Sequence, residues 1–326
     1  MPLFLSASII AVLLSGCAHT TSSTLNTPQR EKVTVLLDWF PNTNHTGLYV
    51  ARDKGYFRTQ GLDVTLLQPE EGSSSQLVAT GKADFAVSSQ ESVTQARAEN
   101  IPVVSIAAII QHNTSAFASL ENADIKTVKD FEGKRYGGWG SPIEEAVLTA
   151  VMQDAGADYG KVKNITIGTT DFFSTIGRES DFQWIFYGWD GVEAERRGTK
   201  LNLIFLTDLN PLLDYYTPVL ITSEQHIKEQ YDLVKRFTAA TSQGYTFAIA
   251  HPDEAADILI KAAPELNADL VHKSQVWLSP RYQDDAARWG EQKGDVWKGY
   301  ATWLSERNLI PTMIRIEAAY TNQFLP

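Results

Sequence analysis

Two short aromatic runs carry the most suggestive chemistry in this chain. Trp39 stands in Asp38-Trp39-Phe40-Pro41-Asn42-Thr43-Asn44-His45, directly behind an apolar run, Val33 to Leu37, that reads as a strand. Tyr187 and Trp189 stand behind a second such run, Phe182 to Phe186, with Glu193 four residues beyond Trp189. Ligands of open α/β sheets sit beyond the carboxyl ends of strands, which makes Trp39, Tyr187 and Trp189 candidate stacking faces. An aromatic face suits a flat, polarisable ring, whose edge then needs a few aimed polar groups. Trp189 and Glu193 are one helical turn apart and are expected to project toward the same space, with the carboxylate as a charged acceptor. Asn42, His45, Ser89, Gln90, Asn113 and Tyr216 are further polar candidates at strand ends and helix starts. Each residue also has a plainer reading. Trp39, Tyr187 and Trp189 can pack in a core, Glu193 can pair with Arg196 or Arg197 at i+3 and i+4, and Asn42, Asn44 and Ser89 suit turns and caps.

Other chemistry is poorly represented. The six histidines, His19, His45, His112, His226, His251 and His272, show no His-x-x-x-His spacing, and no Gly-x-Ser-x-Gly elbow occurs. Cys17 is the single cysteine, which excludes an intramolecular disulfide and any metal site built on cysteine pairs. Gly137, Gly138 and Gly140 precede a capped helix, but without Gly-x-Gly-x-x-Gly or a Walker pattern they do not make a nucleotide site. The sequence calls for no catalytic residue, metal or cofactor. Against 28 Lys+Arg stand 39 Asp+Glu, a formal charge of −11, and no basic block argues for nucleic acid as a partner. A length of 326 residues suggests about two domains, at roughly 100–200 residues each.

The start of the chain has its own logic. Leu3 to Leu14 is almost wholly apolar and runs into Leu14-Ser15-Gly16-Cys17, followed by the polar tract Ala18 to Arg30. A membrane-spanning helix needs about 20 residues, whereas an apolar segment of this length followed by small residues has the form of a secretory signal. Leu-Ser-Gly-Cys resembles the bacterial lipobox, in which the cysteine is lipidated, and that accounts for a lone cysteine. Acyl chains bind at about 0.8 kcal/mol per buried CH₂, so a multiply acylated Cys17 would hold the protein on a membrane. The Thr/Ser/Asn-rich tract behind it reads as a flexible tether. Met1-Pro2-Leu3-Phe4 lacks the usual basic residue of a signal.

From Val33 onward apolar runs alternate with helical segments, a pattern that predicts parallel sheets with crossover helices. Strands are expected at Val33 to Leu37, Leu62 to Leu67, Ala83 to Val87, Val103 to Ile110, Arg135 to Trp139, Val162 to Ile167, Phe182 to Phe186 and Leu201 to Leu206, with a returning strand at Thr217 to Thr222. Helices are expected at Thr46 to Phe57, Ser73 to Thr80, Ser89 to Glu99, Pro142 to Asp154 and Gly191 to Arg197, with a mostly helical remainder after Glu224. Ser73/Gln76 and Ser141/Glu144 stand at capping-box spacing, the second with Pro142 at the first helical position. Trp289, Trp297, Tyr300, Trp303 and Leu304 are expected in the core of the C-terminal helices.

The first aromatic run continues through Gly47-Leu48-Tyr49-Val50-Ala51 into Lys54-Gly55-Tyr56-Phe57, and later come Gly81-Lys82-Ala83-Asp84-Phe85, Gly138-Trp139-Gly140-Ser141-Pro142 and Tyr187-Gly188-Trp189-Asp190-Gly191-Val192-Glu193. These runs resemble the thiamine-pyrimidine-synthase-like family and, within it, the ThiY-type solute-binding proteins of ABC transporters. The resemblance covers essentially everything after the tether. It implies an α/β fold of the type II periplasmic binding protein kind: two α/β lobes joined by two crossing strands, placed near Ser115 to Leu120 and Tyr216 to Ile221. The expected division is 1–16 signal peptide, 17–31 lipidated cysteine and tether, 32–115 plus 220–326 lobe one, and 116–219 lobe two. The resemblance further implies a monomer that binds a thiamine-precursor pyrimidine, formylaminopyrimidine or hydroxymethylpyrimidine, and meets ABC permease subunits outside the cytoplasm. In that setting Trp39, Tyr187, Trp189 and Glu193 become the best-supported ligand residues, the ring lying between faces from opposing lobes.

Two alternatives stay open. A sulfonate or nitrate carrier shares the fold but needs a basic cleft, and the proposed segments hold few Arg or Lys. The same family includes the fungal pyrimidine synthase of thiamine biosynthesis, which carries an essential histidine in the helix after the Gly-Lys-x-Asp strand and a cysteine-rich segment before the returning strand. The matching positions here are Ser92 and Leu213-Asp214-Tyr215-Tyr216, so both features are missing.

Overall fold

A computed structural model describes residues 30–68 and 74–326. The apolar start, Cys17, the tract up to residue 29 and the Ser73 cap lie outside the described residues. Glu31, expected in the tether, already opens the first strand.

The apolar runs form β1 (Glu31–Leu36), β2 (Leu62–Leu67), β3 (Phe85–Ser88), β4 (Val103–Ala108), β5 (Ser115–Leu120), β6 (Arg135–Gly138), β7 (Lys163–Thr166), β8 (Phe182–Phe186), β9 (Leu201–Phe205) and β10 (Val219–Ser223). They make two five-stranded sheets, ordered β2-β1-β3-β10-β4 and β7-β6-β8-β5-β9. Every residue of β3 and β4 is buried, and apart from Ser88 and Ser105 every one is apolar, because helices and loops cover both faces.

Neither sheet is wholly parallel, contrary to expectation. β10 runs antiparallel between β3 and β4, and β5 antiparallel between β8 and β9. Direction follows from the path of the chain. The other strands point their carboxyl ends at the gap between the sheets, whereas β5 and β10 begin at that gap, straight after a passage from the opposite sheet, and run away from it. Each lies within one sheet, so the passages are made by the segments just ahead of them, residues 109–114 and 206–218. Register then puts Ser115 opposite Phe186 and Val219 opposite Ser88, so both passages end beside a site segment.

The expected helix Thr46 to Phe57 is two helices, Thr46–Asp53 and Tyr56–Thr59, because Gly55 takes a left-handed conformation (φ 78°) and ends the first. The long helix Tyr231–Ala250 backs the first sheet and helps bury its second core. Helix Gly294–Glu306 buries Trp297, Tyr300, Trp303 and Leu304, as its spacing predicted. Trp289 lies ahead of that helix and stacks on Tyr245 at 4.5 Å. The helix touches both halves. Gln90 Nε2 donates to its Val296 carbonyl at 3.3 Å, and Arg307 at its end pairs with Asp154 at 2.7 Å. Its indoles join one apolar cluster with Phe117, Tyr136, Phe182 and Trp184 of the second sheet.

Candidate functional site

The loop behind β1 is built around a buried histidine. Asn42 caps a 3₁₀ turn, Thr43–His45, accepting from Asn44 N–H at 2.9 Å while His45 Nδ1 accepts from Asn42 N–H at 3.3 Å. An Nδ1 that accepts leaves the proton on Nε2, which donates to Asp38 Oδ1 at 2.7 Å. His45 is fully buried, whereas the Asp38 side chain remains one-third exposed. Asn42 and His45, both ligand candidates by sequence, therefore spend their polar atoms on holding the loop. What they hold outward is Asp38, which sequence reasoning missed, and Trp39, which is 37% exposed and meets Phe40 edge-on at 6.2 Å. The seven-residue Asp38-to-His45 spacing belongs to no regular periodicity, so only the closed loop reveals the pair.

The segment behind β8 is a π-helical turn, Tyr187–Gly191, leading into helix Val192–Arg197. Such turns are rare and frequent at functional sites. Gly191 permits it, since a Cβ there would stand 2.4 Å from the Tyr187 ring. The Tyr187 ring lies 5.1 Å from Trp277 and 5.8 Å from Phe205, and its hydroxyl donates to Glu195. Burial and that carboxylate push the phenol up to about 12. Trp189 packs half-buried against the first lobe's core. Glu193 is gripped by Arg196, with bonds of 2.6 and 2.8 Å, and by Arg197 at 2.5 Å. The plainer pairing is thus formed, and both of its oxygens carry guanidinium bonds. Burial works to raise the Glu193 pKa, but the two arginines outweigh it and hold the carboxyl below its ordinary value. The i→i+5 turn also offsets the α-helical phase from which Trp189 and Glu193 were expected to share one space.

Helix Ala268–Leu278 joins the two segments. Ser274 Oγ lies 2.5 Å from Thr43 Oγ1 of the first loop, and its hydroxyl also meets the Gly188 carbonyl of the second. Leu278 lies under Gly188, where a Cβ would come within 2.9 Å. Trp39 and Tyr187 are thereby carried by loops that meet one another through a single serine, although 148 positions separate them in the numbering. Between this helix and Val192–Glu195 runs a groove of about 490 Å³, lined by His272, Lys273, Val276 and Trp277.

The remaining candidates serve the passages. Ser89 caps helix Gln90–Ala98, accepting from Ser92 N–H at 3.2 Å. Gln90 and Tyr216 exchange two bonds, Gln90 N–H to the Tyr216 carbonyl at 3.0 Å and Tyr216 N–H to Gln90 Oε1 at 2.9 Å. The Tyr216 hydroxyl accepts from Lys293 N–H at 2.8 Å. Asn113 donates to the Leu213 carbonyl at 2.8 Å, tying one passage to the other.

His112 and Asp214 form a clasp across the same two passages, Nδ1 to Oδ2 at 2.7 Å, with Asp285 3.5 Å from the other ring nitrogen. The bond to Asp214 raises the His112 pKa. A raised folded value means that the clasp contributes fully below the ordinary histidine value of about 6.5 and is lost as pH rises through the folded value. Substituting His112→Gln should therefore lower the unfolding midpoint most at mildly acid pH and least at alkaline pH. A pH-independent difference between the two proteins would refute the clasp.

Among the described residues no group of three or more His, Cys, Asp or Glu is placed to hold a metal, and no helix is long and apolar enough to cross a membrane.

Known proteins extend these observations. The formylaminopyrimidine-binding protein of Halalkalibacterium halodurans is 28% identical, over 96% of this chain and 96% of that protein. The 4-amino-5-hydroxymethyl-2-methylpyrimidine phosphate synthase of Legionella pneumophila is 24% identical, over 91% and 93%. Among solved structures, the alkanesulfonate-binding protein SsuA from Xanthomonas axonopodis pv. citri, bound to MOPS, shares the fold with a TM-score of 0.69 at 13% identity, covering 89% of this chain and 98% of that one. That likeness agrees with the two-lobed periplasmic-binding-protein architecture read from the sheets. Residues 42–255 match the family model described as NMT1/THI5 like, and the chain belongs to that family.

Proposed function

We propose that this protein is the extracytoplasmic solute-binding component of an ABC importer, carrying a thiamine-precursor pyrimidine, formylaminopyrimidine or hydroxymethylpyrimidine, between its lobes. The observation that carries the reading is the meeting of the two aromatic segments at Ser274, with an exposed Trp39 on one and the Tyr187-Trp189 turn on the other. A flat amine-bearing ring suits those faces, and Asp38, steadied by His45, is the acceptor best placed to read its rim, since Glu193 is held by two arginines. The similarity to a formylaminopyrimidine-binding protein along nearly the whole chain supports the same cargo.

The synthase reading finds less support. Ser92, at the position of the enzyme's histidine, lies with its hydroxyl 3.1 Å from Ser89, and residues 213–216 belong to a passage between lobes, where Tyr215 is fully buried. Calorimetric titration with formylaminopyrimidine, hydroxymethylpyrimidine and thiamine tests the cargo; three flat traces would remove it. The partner is a membrane permease, and Cys17 is the proposed lipid anchor for a protein acting as a monomer. Substituting Cys17→Ser should move the protein from the membrane fraction to the soluble one, and unchanged membrane retention would exclude that anchor.

A further inference from the structure

The parallel strands of each sheet release the chain at one common edge, the edge that carries the proposed site. Among the segments that leave it are Leu37–His45, Ser89–Ser92, Trp139–Glu145, Ile167–Phe172 and Tyr187–Glu195. They contain no lysine or arginine, yet they hold Asp38, Glu91, Glu144, Asp171, Asp190 and Glu193 among their acids. Glu144 is the most completely used of these. It stands in the first turn of helix Pro142–Asp154, the helix that starts behind β6, and is 2% exposed. Its carboxylate accepts from the backbone N–H groups of Trp139 (3.1 Å), Gly140 (2.9 Å) and Ser141 (2.9 Å), and from the Tyr136 hydroxyl at 2.7 Å.

Three converging N–H groups at a helix N-terminus are what binds a sulfate, phosphate or carboxylate from solution. Here the chain supplies the anion itself. The fit is close, because a Cβ on Gly138 would lie 2.8 Å from Glu144 Oε1. A cavity of about 270 Å³, lined by Tyr136, Tyr159, Asn164 and Thr166, opens beside the carboxylate, so the donors are within reach of a small molecule but already taken. A second, independent observation comes from the other lobe. Glu91 occupies the first turn of the helix behind β3, 5% exposed, and its Oε2 has no hydrogen-bond partner. Burial pushes this carboxyl up to about 7, so an acid in that position offers an anion no counter-charge and has acceptor capacity to spare.

We propose that Glu144 is an internal counter-anion: by filling the donor nest at the end of β6 it makes the cleft refuse sulfonate, nitrate and phosphate groups and restricts the cargo to uncharged or cationic amine-bearing rings. This rests on the reading of the cleft as the cargo site and specifies the charge that site accepts.

The test uses the full chain, unaltered and as Glu144→Ala and Glu144→Gln, titrated with methanesulfonate and, separately, with formylaminopyrimidine. The unaltered protein should show no methanesulfonate binding. Glu144→Ala, its nest emptied, should bind methanesulfonate with a dissociation constant at least about tenfold below the highest concentration at which the unaltered protein still shows none, and formate should raise its melting temperature but not that of the unaltered chain. Glu144→Gln occupies the same space, although its amide NH2 then faces two of the donors instead of accepting from them, and by blocking entry it should gain neither response. Methanesulfonate binding by the unaltered protein would overturn the proposal, as would a folded Glu144→Ala that ignores both anions. So would a Glu144→Ala that fails to fold even with formate present, since an external carboxylate should then replace the internal one. If formylaminopyrimidine binds while methanesulfonate also binds, the cargo reading stands and this proposal falls. If methanesulfonate is refused and the pyrimidine does not bind either, the cargo reading alone falls.

Discussion

Substituting Phe117→Ala is expected to lower stability by about 3–5 kcal/mol, the usual cost of emptying a packed aromatic site. Phe117 is 1% exposed at the middle of β5, the reversed strand that lies between β8 and β9. Its ring centroid lies 5.3 Å from Phe131, 5.5 Å from Trp184, 6.3 Å from Phe182 and 6.5 Å from Tyr136. Four rings from three different segments, Phe182 and Trp184 both being on β8, cannot all shift to fill the void, because each is fixed by the element that carries it. Urea unfolding should show a lower midpoint at an unchanged slope. A loss below about 1 kcal/mol would show that the cluster closes up and that this centre is not what holds the second lobe together. The effect should reach the site as well, since β5 begins beside Phe186 and Tyr187 N–H donates to the Thr114 carbonyl at 3.0 Å.

The second large effect should appear in binding and spare the fold. Trp39→Ala is expected to weaken formylaminopyrimidine binding by roughly 1–3 kcal/mol, taking base stacking on aromatics as the guide, or about 5- to 150-fold in Kd. Little stability should be lost, because the indole is over one-third exposed and its aromatic partner, Phe40, is half exposed. Calorimetry run beside a thermal melt separates the two outcomes. Equal affinity would remove Trp39 as a platform, and a large drop in melting temperature would make it a packing residue instead.

How much of this was legible in the sequence depends on how local each signal is. Leu62–Leu67 and Phe182–Phe186 were read to the residue, and so was helix Pro142–Asp154, whose start is marked by Ser141, Pro142 and Glu144 together. Strand direction was not legible for β5 and β10, since it depends on which edge the chain enters from, and an apolar run carries no such mark. In the site, Trp39's exposure followed from its neighbours, Pro41, Asn42 and Asn44, and the pairing of Glu193 with Arg196 and Arg197 was visible as a helical spacing. The π-helical form of the Tyr187–Gly191 turn was not legible, because a 3.6-residue period was applied where the chain takes i→i+5. Ser274 could not be found at all. Its partners, Thr43 and Gly188, lie 231 and 86 residues away, and nothing local marks a serine as the residue that two lobes share.

The way helix Gly294–Glu306 sits bears on how cargo gets in and out. Its indoles belong to an apolar cluster that already contains the rings of the second lobe, while its first turn is bonded to Gln90 of the other. The two halves therefore share an indole-lined interior on that side, whereas on the Ser274 side they meet through that serine's hydrogen bonds and the smaller contacts of Tyr187 with Trp277, Gly188 with Leu278 and Trp189 with the first lobe's core. Parting them wholesale would expose the shared rings to water. A swing about the helix as fulcrum would part the contacts at Ser274 while the indole cluster stays dry.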